Sequence, residues 1–157
     1  MRFWLLKTEP SVFSFADLLK APRRTTGWGG VRNYQARNYL RDEIKKGDRA
    51  LIYHSSADPP AVAGEAEVVR EGHPDPTQFD RNDGDHYDPA SSVESPRWYQ
   101  VEVRALAALP HPVSLERIRR TPALRDMLLI RRGMRLSVQP VSREHYDVIV
   151  ELGKTKG

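Results

Sequence analysis

An indole, two guanidinium groups and three side-chain amides fall within twelve consecutive residues, Gly27-Trp28-Gly29-Gly30-Val31-Arg32-Asn33-Tyr34-Gln35-Ala36-Arg37-Asn38. An aromatic face stacks on a heterocycle, an amide pairs with its polar edge, and arginine beside a helix start neutralises phosphate. Together these groups suit a nucleobase and the backbone that carries it. A plainer reading also fits, in which Trp28 fills core and the glycines only let the chain turn. Lys7 and Glu9 stand two apart in an extended run and project from one face, where they pair with each other or converge on a polar ligand. Tyr53-His54-Ser55 close a buried strand with hydroxyl, imidazole and hydroxyl groups, at the sort of strand end that lines pockets, although His54 suits a structural hydrogen bond equally well.

Other chemistries find little support. Asp75, Asp80, Asp83, Asp85, His86 and Asp88 make an acidic stretch, yet Asp80, Asn82 and Gly84 miss the EF-hand positions and no second histidine stands at zinc-site spacing. No metal and no cofactor are expected. A serine nucleophile elbow, a P-loop and a Rossmann glycine pattern are all missing, which leaves conventional hydrolase and nucleoside-triphosphatase readings without a basis.

The elements that must position these groups follow from patterning. Residues 2–7 read as a first strand. Ser14, with Asp17 three residues on, caps a helix over residues 15–19 that Pro22 ends. Residues 25–30, with three glycines in the last four, read as a loop. Asn33 caps a helix over Tyr34 to Lys46, which stops at Gly47. Arg49 to Ser55 and Ala61 to Arg70 read as strands joined by the rigid Asp58-Pro59-Pro60 turn, with Leu51 and Tyr53 on one face and Ala50, Ile52 and His54 on the other. Glu71 to Pro96 reads as a long surface excursion and Arg97 to Leu106 as a strand with one buried face. Ser114 caps a short helix, Thr121-Pro122 starts another, Met134 to Pro140 returns as a strand, and Ser142 opens a last helix that Gly153 ends. Five or six strands with short helices and no regular βαβ rhythm give an α+β fold, a small bent or barrel-like sheet with helices outside.

With 157 residues and 39% hydrophobic content, one domain spanning residues 1–157 is expected. No stretch approaches the roughly 20 apolar residues of a membrane span. Zero cysteines exclude disulfides, a thiolate zinc site and a cysteine nucleophile, and fit a reducing, cytoplasmic setting. The net charge of +4 favours contact with polyanions.

Taken in order, several segments resemble the EVE domain family, whose members share the PUA-like barrel. They are Trp4-Leu5-Leu6-Lys7-Thr8-Glu9-Pro10, Trp28 through Asn38, Gly47-Asp48, Tyr53-His54-Ser55, Gly64-Glu65-Ala66 and Arg135-Leu136-Ser137-Val138-Gln139-Pro140. They span nearly the whole chain, and the run from Gly30 to Asn38 is highly specific. The resemblance implies a PUA-like small β-barrel with peripheral helices and a central pocket akin to that of the YTH readers of methylated adenine in RNA. It implies a non-catalytic, monomeric reader of DNA or RNA that holds a modified base, modified cytosine above all, and needs no metal. Trp28 would then be an aromatic wall, and Lys7, Glu9, Asn33, Tyr53, His54 and Ser55 the polar lining, with Ser137 and Gln139 on the last strand as further members. Arg32 and Arg37 would meet phosphate, and nearby Arg23 and Arg24 either help them or form a solvated face. Two other functions stay open: an amidohydrolase like ASCH-type relatives, using Lys7, Thr8 and Glu9 on acylated nucleosides, and a module that binds an acidic protein.

Overall fold

Six strands, β1 (Phe3–Thr8), β2 (Thr25–Trp28), β3 (Arg49–His54), β4 (Ala61–Pro74), β5 (Tyr99–Ser114) and β6 (Val138–Val141), build one mixed sheet in the computed structural model, which describes residues 1–157. Their order is β2-β5-β4-β3-β1-β6, with β1 parallel to β3 and the other pairs antiparallel. No ladder joins β2 to β6, so the expected barrel is not closed. The edge strands nevertheless share a core: Trp28 of β2 and Val138 of β6 lie in one buried cluster with Trp4, Leu6, Ala50, Ile52, Val101 and Val103.

Strand alternation feeds two cores, one on each face of the sheet. Trp4, Leu6, Ala50 and Ile52 point to the cluster that holds Trp28, while Leu5, Leu51 and Tyr53 point to a second cluster with Val141, Tyr146 and Ile149. Both faces of β3 are therefore buried, which explains its unbroken apolar run. Four short helices cover the faces: α1 (Phe15–Lys20), α2 (Tyr34–Asn38), α3 (Leu115–Arg119) and α4 (Arg143–Leu152). Each begins at a side-chain cap expected from sequence, at Ser14, Asn33, Ser114 and Ser142, and Ser14 and Asp17 complete a reciprocal capping box. The buried Asp48 carboxylate ties the start of β1 to the β3 approach, accepting from the Trp4 indole at 3.0 Å, Arg2 N at 2.9 Å and Lys45 N at 2.9 Å.

The structure corrects five element boundaries. Residues 25–28 are strand, not loop: they pair with Val101 to Arg104 at the sheet edge, and the Gln100 amide lies over Gly27. The helix expected over 34–46 gives way to a π-helical turn, Tyr39–Glu43, after which Ile44 is extended and Asp48 takes the Lys45 N–H. The 71–96 excursion is partly interior, since β4 runs on to Pro74 and Asp75 and Gln78 are fully buried. Thr121 caps nothing, because its hydroxyl donates to Arg117 O, and Pro122–Leu124 is a single 3-10 turn. The last strand begins at Val138, not Met134, because its ladder with β1 starts at the Leu6–Val138 pair.

Candidate nucleic-acid interface

The stretch singled out for its chemistry is held by a buried carboxylate. Asp75 Oδ2 accepts from Gly30 N at 2.6 Å and from the Arg32 guanidinium at 3.1 Å, while its Oδ1 accepts from the Thr77 hydroxyl at 2.6 Å and Thr77 N at 2.9 Å. Burial pushes this carboxyl up, but the bonds from Thr77, Gly30 and Arg32 outweigh it and hold it below the usual carboxylate range. Arg32 completes the lock. Its five N–H donors go to Asp75, Thr77 Oγ1, Val31 O and, twice, His86 O, and its plane lies 5.3 Å from the Trp98 ring centre. No Arg32 donor is left for a phosphate in this conformation. Tyr34 also stacks on Trp98, at 5.0 Å, and Arg37 lies over Tyr34 at 4.9 Å while donating to Arg97 O and Asn38.

A second group gathers at one end of β1 and β3. Lys7 N donates to Ser137 O and Ser55 N to Thr8 O, both at 2.9 Å, which brings Lys7, Ser55 and Ser137 to a common rim with exposed Glu9 beside them. Burial holds the Lys7 ammonium below the ordinary lysine value. The Thr8 hydroxyl, on the face of Leu6, donates to Phe13 O at 2.6 Å, and the Phe13 ring meets Trp28 edge-on at 6.3 Å; Lys7 alternates with Thr8 and stands beside Tyr53, on the opposite face. Trp28 is only 6% exposed. His54 faces the same core, where Nε2 accepts from Phe15 N at 3.0 Å, and burial lowers its pKa.

Between these groups a cleft of about 310 Å³ opens, lined by Asn33 and Gln35 on one lip and Arg132 to Leu136 on the other. It lies on the seam that the open sheet leaves between its edges. Asn33 Oδ1 is occupied by Ala36 N at 3.0 Å, which leaves its amide N–H₂ free to donate. Leu136 lines the cleft and also packs against the cluster that contains Trp28, as do Phe13 and Val31.

The EVE domain model matches residues 2–152. This chain belongs to the EVE domain family. Among relatives of this EVE protein, human thymocyte nuclear protein 1 is 38% identical over 166 residues, covering 95% of this chain and 72% of that protein. The structure of human THYN1 protein in complex with 5-methylcytosine-containing DNA superposes over all of both chains with a TM-score of 0.91 at 37% identity. A Leishmania major protein superposes with a TM-score of 0.91 at 39% identity, covering 98% of this chain and 95% of that one. An ASCH protein from Zymomonas mobilis, 12% identical at a TM-score of 0.56, shares the fold alone.

The EVE domain thus gathers Lys7, Glu9, Ser55 and Ser137 at one strand-end rim, with the Lys7 side chain on the face opposite Trp28, and sets Asn33 on a cleft. Tyr53, the partner of Lys7 in the β1–β3 ladder, and Gln139 lie deeper on the Lys7 face. Tyr53 belongs to the second core, and Gln139, paired with Leu5, points to that same face, where its amide donates to Leu136 O at 2.9 Å. His54 is a structural acceptor on the first face. Sequence reasoning missed Asp75 as the clamp and Arg132 and Arg135 as cleft residues. The run Arg131-Arg132-Gly133-Met134-Arg135, three arginines around a turn glycine, was the signal available for the latter.

Proposed function

We propose that this EVE protein binds nucleic acid and seats a modified pyrimidine of the 5-methylcytosine kind without turning it over. The observation that carries this reading is the full-length superposition on human THYN1 in complex with 5-methylcytosine-containing DNA. The geometry supports it. The cleft, of about 310 Å³, is open to solvent and lined mostly by polar side chains, as suits the edge of a base and its backbone. Asn33 and Gln35 offer amides to the polar edge of a base, Met134 and Leu136 offer apolar surface to a methyl group, and Leu136 packs back on the cluster that holds Trp28. Extruding a base costs a few kcal/mol, least for a single strand, and close packing in a pocket offsets it. One methyl group in an apolar slot changes binding by about 1–3 kcal/mol, or about 10- to 200-fold.

The rival amidohydrolase reading needs Thr8 to converge with Lys7 and Glu9. Its hydroxyl is bonded to Phe13 O instead. A titration of wild type and Asn33→Asp against matched oligonucleotides carrying cytosine, 5-methylcytosine, 5-hydroxymethylcytosine and methylated adenine tests the proposal. Aspartate preserves the helix cap, so the fold stays intact while a carboxylate enters the cleft. Wild type is expected to prefer 5-methylcytosine, and Asn33→Asp to weaken binding to every probe. Equal affinity of wild type for all probes sinks the modified-base reading, and a mass change in a recovered oligonucleotide sinks the non-catalytic one.

A further inference from the structure

We infer that Arg132 and Arg135 are the phosphate-gripping arm of the cleft, meeting the nucleic-acid backbone on either side of the seated base; this rests on the proposed function. Both line the cleft opposite Asn33 and Gln35. Both are exposed, as is Arg131, and none of the three finds a carboxylate or a carbonyl partner. Seven of the chain's other sixteen arginines face a carboxylate, among them Arg2 with Glu43, Arg41 with Asp42, Arg70 with Glu102, Arg104 with Glu67 and Arg32 with Asp75, whereas Arg131, Arg132 and Arg135 face none. Three unneutralised arginines beside one concave site are a local field that attracts polyanions.

The arm is also built rather than loose. Arg131 to Met134 form a tight turn in which Met134 N donates to Arg131 O at 3.0 Å, and Gly133 takes the φ of +77° that the third turn position demands. Arg132 therefore sits at the turn's corner and Arg135 just after it. Downstream, Gln139 holds Leu136 O and Lys7 N holds Ser137 O, which fixes the end of the loop to β1 and β6. Arg32 and Arg37 are engaged elsewhere, Arg32 completely, so the backbone grip expected of them passes to this turn.

Neutralised phosphates carry affinity without sequence information, and each adds about 0.9 to the slope of log affinity against log salt on duplex DNA and about 0.7 on a single strand. The experiment measures that slope for wild type, Arg132→Ala/Arg135→Ala, Arg132→Lys/Arg135→Lys, and the charge-matched control Arg119→Ala/Arg125→Ala, on methylated and unmethylated DNA. Thermal melts accompany each variant to certify folding. The alanine pair is expected to flatten the slope by about 0.7–0.9 for every phosphate it no longer neutralises. It should also weaken both DNAs by the same factor, whereas the lysine pair and the control keep the wild-type slope. A wild-type slope in the folded alanine pair overturns the assignment and leaves the base reading standing. Wild-type binding that ignores methylation, with a slope that flattens only in the alanine pair, supports the arm and removes the base reading. Failure of wild type to bind any DNA overturns both.

Discussion

Replacing Asp75 by asparagine keeps the side chain's shape while removing its charge and one of its two acceptor oxygens. Wild-type Asp75 accepts four hydrogen bonds, two on each oxygen, from Gly30, Arg32 and Thr77. The asparagine N–H₂ must face two of those donors, so two bonds vanish and Arg32 loses its counter-charge. Breaking a buried ion pair from one side costs about 3–5 kcal/mol, and because the Arg32 side chain keeps 22% of its exposure the low end, about 3 kcal/mol, applies. In a chain of this size that lowers the melting midpoint by about 6–12 °C. Urea unfolding with an unchanged m-value measures the same loss at 25 °C. The difference between wild type and Asp75→Asn also carries a pH signature. A carboxyl held below its ordinary value contributes fully above about pH 4, and its contribution is lost as pH falls through the lower, folded value. The stability curves of the two proteins must therefore converge in acid. A loss smaller than about 1 kcal/mol at pH 7, or a gap that does not shrink as pH falls below about 4, refutes the clamp.

Two further outcomes test the surrounding structure. His54 must stay neutral to accept the Phe15 N–H, and its pKa is lowered by burial, so stability falls as pH drops from about 6.5 through the folded value; His54→Gln should abolish that limb of the pH profile. Gly64→Ala places a Cβ inside the van der Waals envelope of the buried Phe15 ring and should destabilise by about 1–3 kcal/mol in denaturant titration; an unchanged midpoint refutes the close packing of Phe15 on β4.

Local signals were legible where chemistry acts over a few residues. Ser14, Asn33, Ser114 and Ser142 cap helices because a short polar side chain can reach an orphan N–H three positions on, and nothing distant is required. The faces of β3 were equally readable from its alternation. What escaped depends on partners remote in sequence. Three glycines made residues 27–30 look like loop, yet β5, far along the chain, supplies the ladder that turns their start into strand. Asp75 looked like one acid among many in a polar stretch; only folding places Gly30 and Arg32 against it. Tyr53 and Trp28 are both aromatic and both buried, and only the sheet's connectivity shows that they serve opposite cores.

The missing ladder between β2 and β6 has a dynamic consequence. The lips of the cleft, Asn33 and Gln35 on one side and Arg132 to Leu136 on the other, are joined across the seam by packing and not by sheet hydrogen bonds. No rung of the six-stranded ladder crosses the cleft. Amide exchange should therefore divide the molecule: the central strands β3, β4 and β1 stay slow whether the cleft is filled or empty, and the turn at Arg131 to Met134 alone slows when a ligand bridges it.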